Sequence, residues 1–237
     1  MNFTIEPILG DFPTYRCGVL VAHVDSMPEG RAPMLDANVT DAEVDANSRY
    51  NLDTVGEIPA IRDWRKAYRA FGIKKTSYRC SVERLLRGVL QGRGLPRING
   101  FVDAYNLVSL RHLLPLGADD LDKVTGDLGF RYAKPGDSFI ALGDETRTED
   151  PPKDGEVVYA DGEKILCRRW NWYQDARSPI TLATKRAVVT VQALESGNVD
   201  LAIADLGTML NEYAGARTAS AVLDAATPSV DLGTLQP

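Results

Sequence analysis

The feature of this sequence that most constrains its fold is a change in hydrophobic spacing along the chain. In the first half, apolar residues recur at three- and four-residue intervals, which predicts amphipathic helices at residues 57–72, 81–92 and 99–113. In the second half, short runs rich in β-branched and aromatic residues predict strands at residues 128–134, 137–143, 156–160, 164–170 and 186–194. Helices that precede strands favour an α+β fold over a doubly wound parallel sheet.

Three further elements complete the predicted secondary structure. Residues 16–25 form an apolar run that is typical of a buried strand, and residues 35–50 predict a surface helix. Residues 199–213 predict a closing helix, which Gly215 can terminate. We therefore predict β-sandwich-like sheets that are flanked by helices.

The predicted elements divide the chain into three parts. Residues 1–54 are predicted to be an N-terminal strand and helix extension, and residues 55–215 are predicted to be the main domain. Residues 216–237 are small, polar and aperiodic, so a flexible tail is expected there.

The composition excludes several classes of protein. The 237 residues are 44% hydrophobic and 25% charged, without an apolar run or leader pattern that suits a membrane, so a cytoplasmic protein with no membrane partner is expected. The odd and scattered Cys17, Cys80 and Cys167 argue against a disulfide framework and a zinc cluster. Two histidines and the missing nucleotide-binding motifs leave no signal for a metal or another cofactor.

The charges of this acidic chain are unevenly distributed. The net charge is −6, yet residues 62–111 carry 12 Lys and Arg against three acidic side chains, a local balance of +9. Such a segment indicates contact with a polyanion, and the alternative is a solvated helical face whose partners lie elsewhere in the fold. The candidate RNA-binding residues are Arg65, Arg69, Lys74, Lys75 and Arg79.

Three polar residues share one face of the predicted helix at residues 99–113. They are Asn99, Asp103 and Asn106, at steps of four and three residues among valines and leucines. They are candidates for the wall of a pocket. The structural alternative makes Asn99 the helix cap and Asp103 the partner of a backbone amide.

The segment CRRWNWYQDARS at residues 167–178 follows a predicted strand and interleaves aromatic with polar side chains. As a projecting loop, it could offer Trp170 or Trp172 for stacking, Arg169 as a clamp for an anion and Asn171 as a hydrogen-bonding group. Gln174 and Asp175 extend this candidate pocket wall. Alternatively, both tryptophans belong to the core and the arginines are solvated.

A longer pattern surrounds these candidates. The stretch RINGFVDAYNLVSLRHLLPLGADDLDKVTG contains an Asn, then Val-Asp, then Asn, then Pro-Leu and Asp-Leu-Asp-Lys, and the later stretches FRYAKPGD and ITLATKRAVVTV fit the same pattern. Residues 55–195 thereby resemble the B3/B4 module of the phenylalanyl-tRNA synthetase beta subunit. The catalytic domain of the synthetase is not present in this sequence. The chain looks like a freestanding B3/B4 protein, with residues 55–215 as the B3/B4-like domain.

The resemblance implies a function. The module in the synthetase hydrolyses the ester that links a wrong amino acid, tyrosine, to the tRNA, without a metal or a covalent intermediate. The implied partner is therefore tRNA or aminoacyl-tRNA, and the implied activity is deacylation in trans. Two alternatives remain open, namely a non-catalytic RNA- or tRNA-binding module and an amino-acid-binding protein.

The site of the resembled family can be carried over residue by residue. Its pocket asparagine falls on Asn106, and the threonine before it is Tyr105 here. The histidine after its Pro-Leu is Gly117, and the glutamate that reads the tyrosine hydroxyl falls on Thr190. Its small, glycine-rich wall falls near Trp170 and Asn171. We expect a pocket between the helix of Asn106 and residues 169–175, and we expect its ligand not to be selected through a tyrosine hydroxyl.

Overall fold

The computed structural model describes residues 1–75, 77–144, 146 and 148–237. Within these residues the chain forms six α-helices, which are α1 (Glu6–Leu9), α2 (Pro33–Arg49), α3 (Pro59–Ala70), α4 (Ser81–Leu90), α5 (Gly100–His112) and α6 (Val199–Ala214). Short 3-10 helices lie at Val55–Glu57, Leu121–Lys123 and Leu232–Thr234. None of the helices in this described part has the length and apolar composition needed to cross a membrane.

The strands of the described residues form two sheets. The ten strands are β1 (Asn2–Thr4), β2 (Arg16–His23), β3 (Leu116–Asp120), β4 (Leu128–Tyr132), β5 (Val157–Ala160), β6 (Ile165–Arg168), β7 (Tyr173–Gln174), β8 (Arg186–Ala193), β9 (Arg217–Leu223) and β10 (Ser229–Asp231). One sheet has the order β3-β8-β2-β9, and the other has the order β10-β1-β4-β5-β6-β7. Only the β1–β4 pair among them is parallel.

The four-stranded sheet is buried on both of its faces, and this explains the continuous apolar runs of β2 and β8. One face packs against α5 and α6, where Leu20, Val189 and Val191 join the larger apolar core. The opposite face contributes Val19 and Val188 to a second core, which it shares with residues of the six-stranded sheet. The fold is therefore α+β, with two facing sheets and helices outside them, as predicted.

The predicted helices are present, and most of the predicted strands are also present. The stretch at residues 137–143 is an exception, because it forms only isolated bridges at Ile140 and Ala141. The amide of Ile140 donates to the carboxylate of Asp175 instead of to a neighbouring strand. The prediction of a strand there is therefore wrong.

The prediction of a flexible tail at residues 216–237 is also wrong. Strand β9 pairs with β2 along its whole length, and β10 pairs with β1. Because β9 is an edge strand, small and polar side chains are tolerated on it, and these hid the strand in the sequence. The predicted extension at residues 1–54 is likewise no separate unit, because β2 is an inner strand of the sheet.

Candidate functional site

A cleft is lined by residues of both sheets. Its volume is about 1010 Å³, and its walls come from α4, α5, β3, β8 and the hairpin between β6 and β7. Among the predicted pocket residues, those that line it are Tyr105, Asn106, Gly117, Trp170, Asn171, Trp172, Gln174 and Thr190. The structure thus brings together eight of these positions from α5, β3, β8 and the hairpin. Arg169 and Asp175 lie outside its lining.

The alternation of side chains along β3 and β8 gives the cleft a polar wall. Leu116, Ala118, Val189 and Val191 point to the helical core, so their neighbours in the chain point to the space between the sheets. These neighbours are Gly117, Asp119, Thr190 and Gln192, and Gly117 is paired directly with Thr190. A Cβ atom at Gly117 would meet no atom within 4 Å, so glycine leaves the cleft wide at this point.

Asp119 is the acidic side chain that the described residues place in the cleft lining. Its Oδ1 atom accepts hydrogen bonds from Ser178 Oγ at 2.8 Å and from Gln174 Nε2 at 3.1 Å. Burial raises the pKa of Asp119 from 3.8 to about 7, and the hydrogen bonds from Ser178 and Gln174 oppose this increase. The carboxyl group therefore changes its charge near neutral pH.

The raised pKa of Asp119 predicts how stability depends on pH. Between pH 3.8 and about 7 the folded protein retains a proton that the unfolded chain releases, so the free energy of unfolding falls as the pH rises through this interval. The substitution Asp119→Asn is expected to remove this decrease and to stabilise the protein relative to wild type at pH 8. Urea unfolding at pH 5 and pH 8 measures the effect. The control is Asp122→Asn, at a half-exposed surface position, and an equal change in that variant would contradict the assignment.

A chain of hydrogen bonds runs along the wall behind the cleft. The hydroxyl of Tyr68 donates to Asn171 Oδ1 at 3.0 Å, and Asn171 Nδ2 donates to Gln192 Oε1 at 3.2 Å. Gln192 Nε2 then donates to Thr190 Oγ1 at 3.2 Å. These bonds link α3, the hairpin and β8, so they fix the side chains of Asn171 and Thr190 against the rigid sheet.

The hairpin between β6 and β7 turns through two residues in left-handed backbone conformations. Arg169 has φ of 47° and Trp170 has φ of 67°, values that cost non-glycine residues energy unless the surroundings enforce them. The packing of the Trp170 indole enforces this conformation. The ring is fully buried, and its centroid lies 4.7 Å from that of Phe12, 5.0 Å from that of Tyr15 and 5.1 Å from that of Trp64. The stacking role considered for Trp170 is therefore wrong, because this ring belongs to the core.

Trp172 instead presents its partly exposed ring to the cleft. The guanidinium of Arg169 lies between two rings, 3.9 Å from the centre of Tyr78 and 4.1 Å from that of Trp172. Asp175 is fully buried and pairs with Arg177 at 2.7 Å. Both side chains thus stabilise the hairpin, Arg169 through its contacts with the two rings and Asp175 through its ion pair. Neither lines the cleft, so the prediction that they form part of the pocket wall is wrong.

Helix α5 carries three polar residues with three different functions. Asn99 is the N-cap and accepts a hydrogen bond from the amide of Val102 at 2.9 Å. Asp103 accepts from the amide of Ile98 and pairs with Arg31 at 2.8 Å, so the structural alternative is confirmed for both residues. Asn106 is 7% exposed, lines the cleft and makes no side-chain hydrogen bond with the described residues. Its amide is therefore available to a ligand.

The basic segment is organised around a buried carboxylate. Glu83 is fully buried in the first turn of α4, and its oxygens lie 2.5 Å from Arg65, 2.9 Å from Arg87 and 3.3 Å from Arg79. For Arg65, the structure therefore supports the alternative to RNA binding, in which a basic side chain pairs with an acidic partner elsewhere in the fold. By contrast, Arg69, Lys74 and Lys75 are exposed and form no ion pair with any described residue.

Four arginines of the described residues form the rim of the cleft, and only Arg79 among them is a predicted RNA-binding residue. They are Arg79, Arg84, Arg87 and Arg93. Arg84 donates to the carbonyl of Trp172 at 2.7 Å and lies 4.0 Å from the ring centre of Tyr173, which leaves its charge at the surface. The spacing of the basic residues in α4 could have identified this rim in the sequence, had the position of the cleft been known.

Sequence reasoning also missed several residues at the base of the cleft. Tyr159 is buried and lines the cleft, and its hydroxyl has no hydrogen-bond partner within the described parts of the chain. Asp119 lies in the quoted pattern, but the small and acidic residues of β3 give no alternation of apolar and polar side chains that would indicate a strand. Cys167 lines the cleft as well, and burial raises the pKa of its thiol, which is the opposite of what a nucleophilic thiolate requires.

The chain is similar to domains of known proteins. A family model described as the B3/4 domain matches residues 63–222, which is the larger part of the chain. The phenylalanine–tRNA ligase beta subunit of Fusobacterium nucleatum subsp. nucleatum is 28% identical over 134 residues, covering 56% of this chain and 15% of that protein. The beta subunit of Aquifex aeolicus is 44% identical over 73 residues, covering 31% of this chain and 9% of that protein.

A solved structure also matches. It is an N-terminal fragment of the phenylalanyl-tRNA synthetase beta subunit from Pyrococcus horikoshii, with a TM-score of 0.45 and 14% identity, covering 91% of this chain and 49% of that one. The chain spans only a small share of the length of the two ligase subunits. Since the family model covers most of the chain, the protein belongs to the B3/4 domain family.

Proposed function

We propose that the protein hydrolyses the ester bond of wrongly charged aminoacyl-tRNA. The observation that carries this proposal is that four arginines of the described residues line a cleft of about 1010 Å³ that is open to the surface. Such an arrangement suits a substrate with a polyanionic part outside and a small amino-acid part inside. The similarity to subunits of phenylalanine–tRNA ligases supports tRNA as the polyanion.

The rim is suited to the phosphates near the acceptor end of the RNA. Arg79, Arg87 and Arg65 share the carboxylate of Glu83, so three positive charges are offset by one negative charge. Hydrogen bonds to Glu83 hold the guanidinium groups of Arg65 and Arg87 in place, which reduces the entropy that a phosphate contact costs. Trp172 and Tyr78 at the same edge of the cleft offer rings on which a terminal base can stack.

The interior of the cleft is suited to an aminoacyl group. Leu166, Tyr159 and Tyr105 provide apolar and aromatic surface, and the amide of Asn106 is free to bind a carbonyl or hydroxyl group. Thr190 is uncharged and is already bonded to Gln192, so it lacks the carboxylate that would select a tyrosine hydroxyl. Selection of the side chain then rests on shape and on the neutral polar groups of the wall.

The reaction needs no covalent intermediate. A water oxygen attacks the carbonyl carbon of the ester, and the tetrahedral intermediate collapses with cleavage of the bond to the ribose oxygen. The proton lost by the water ends on that ribose oxygen, and the products are the free amino acid and uncharged tRNA. Neutral donors such as Asn106 can stabilise the negative charge that develops on the carbonyl oxygen.

The proposal is tested by a deacylation screen across aminoacyl-tRNAs. We expect release of the amino acid from at least one wrongly charged tRNA, and we expect Asn106→Ala to lower kcat/KM for it on the order of 100-fold, as for the loss of a donor to the developing oxyanion. The control Asn47→Ala changes an exposed residue of α2 and should leave the rate unaltered.

The outcomes of the screen separate the alternatives. Binding of tRNA with a strong salt dependence, but without release from any substrate, would indicate a non-catalytic RNA-binding module. Binding of free amino acids without any affinity for tRNA would indicate an amino-acid-binding protein.

A further inference from the structure

The carboxylate of Asp119 is held from one side only. Ser178 and Gln174 both donate to Oδ1, while Oδ2 accepts no hydrogen bond from any described residue. Asp119 is 4% exposed and belongs to the lining of the cleft. One oxygen is therefore oriented by the protein, and the other is left for whatever occupies the cleft.

No cation of the described residues forms an ion pair with this carboxylate. The nearby Lys164 instead bonds Asp161 at 2.6 Å and the carbonyl of Lys123 at 2.7 Å. Arg84 of the rim is bound to Trp172 and Tyr173. A buried carboxylate that lacks a cationic partner carries an uncompensated desolvation penalty, and a cation brought by a ligand would remove it.

The neighbours of Asp119 limit which cation can fit. Tyr105 and Tyr159 line the same cleft as Asp119. Burial, and secondly the charge of Asp119, raises the pKa of both hydroxyls, so both remain neutral. Aromatic faces beside a carboxylate favour a cation as the occupant of this part of the cleft. A guanidinium binds a carboxylate best through both oxygens, but Oδ1 of Asp119 already accepts two hydrogen bonds, so a primary ammonium, which needs only Oδ2, suits this carboxylate better.

We propose that Asp119 binds the ammonium group of the ligand, so that the cleft accepts compounds with a free primary amine and rejects those whose amine is acylated. This inference rests on the proposed function where it concerns aminoacyl-tRNA, whose amino acid carries such an amine. It assigns specificity to Asp119 as a binding residue. Peptidyl or formylated aminoacyl esters, which have a neutral amide in place of the ammonium, would leave the carboxylate unpaired.

The first experiment measures binding by calorimetry and needs neither RNA nor hydrolysis. The probes are L-leucinamide, L-phenylalaninamide and 6-aminohexanamide, the last of which carries a terminal amine. Each probe is compared with the otherwise identical amide that lacks the amino group. Wild type is expected to prefer at least one amine by about 10- to 100-fold, the usual gain from a charged hydrogen bond. Comparison of the affinities for L-leucinamide and 6-aminohexanamide shows whether the cleft binds an α-ammonium group or an ammonium group at the end of a side chain.

The second readout is proton release. At pH 6.5 part of the Asp119 population is protonated, so binding of an ammonium should expel a proton, which appears as a dependence of the measured heat on the ionisation enthalpy of the buffer. Asp119→Asn should lose both the preference and the proton release. The matched control Asp122→Asn should keep both, and a cooperative thermal unfolding transition in each variant shows that it is folded.

The outcomes separate this inference from the proposed function. Equal binding of the amines and their counterparts, an unaltered preference in Asp119→Asn, or no binding of any amine would overturn the role of Asp119, even if deacylation is observed. Amine preference without any deacylation would uphold Asp119 and refute the hydrolase. Where deacylation occurs, N-acetylated aminoacyl-tRNA should react at least 10-fold more slowly than the free-amine form, and Asp119→Asn should reduce this ratio.

Discussion

Replacement of Lys74, Lys75 and Arg93 by alanine is expected to lower the affinity for tRNA about 100-fold at 0.1 M salt, if each side chain contacts a phosphate. These residues are exposed, and they form no ion pair within the described part of the chain. Arg93 lines the cleft, and the two lysines precede the segment at residues 77–79 that also lines it. Their removal should thus weaken RNA contacts without disturbing the fold.

The salt dependence of binding provides the sharper measurement. Each lost phosphate contact should reduce the slope of log affinity against log salt by about 0.7–0.9, so the triple variant should reduce it by roughly 2 to 3. A control with the same change in net charge replaces Arg49, Arg186 and Arg217, whose exposed ion pairs lie on other elements. Equal losses in both variants would show that only the total charge matters, and no loss in either would refute the proposed RNA surface.

Substitution of Trp170 by alanine is expected to destabilise the protein by about 3–5 kcal/mol, the usual cost of truncating a buried tryptophan. The indole packs against Phe12, Tyr15, Trp64 and Phe71, and these contacts also hold two residues in left-handed conformations. Urea unfolding measures the loss, and near-ultraviolet circular dichroism should show the disrupted aromatic cluster.

The neighbouring Trp172 is the matched control, because the same substitution there removes a partly exposed ring. Trp172→Ala should cost about 1 kcal/mol of stability, within the usual range for such positions, while weakening tRNA binding through the lost stacking surface. If the two variants were equally unstable, the division into a core tryptophan and a cleft tryptophan would be wrong.

The helices could be predicted from the sequence because their signals are local. Asn99 precedes the apolar stripe of α5 and caps it in the structure, as expected from the preference of asparagine for such positions. Strand β3 could not be predicted in the same way, since Gly117, Asp119 and Asp120 are polar or small residues in a strand of five. Its pairing with β8, which is 70 residues away in the chain, determines its conformation.

The candidate site shows the same limit. The resemblance placed Asn106, Gly117 and Thr190 at positions that line one cleft in the structure. The burial of Trp170 could not be predicted from the sequence, because no glycine marks the turn with positive φ at Arg169 and Trp170. Only tertiary packing places the ring in the core. The basic residues of α3 and α4 are visible in the sequence, but the ion pair between Arg65 of α3 and Glu83 of α4 is revealed by no local pattern.

Gln174 has a consequence for solubility, apart from its position in the cleft. Strand β3 is an edge strand, and its outward-facing Ala118 carbonyl and Asp120 amide are bonded by Gln174 Nε2 at 2.6 Å and by the carbonyl of Ser178 at 3.0 Å. Open strand edges can pair with other chains and cause aggregation. The segment at residues 174–178 thus covers a surface on which oligomers and fibrils could otherwise nucleate. Changes here that retune the ligand preference will therefore also alter the tendency of the protein to aggregate.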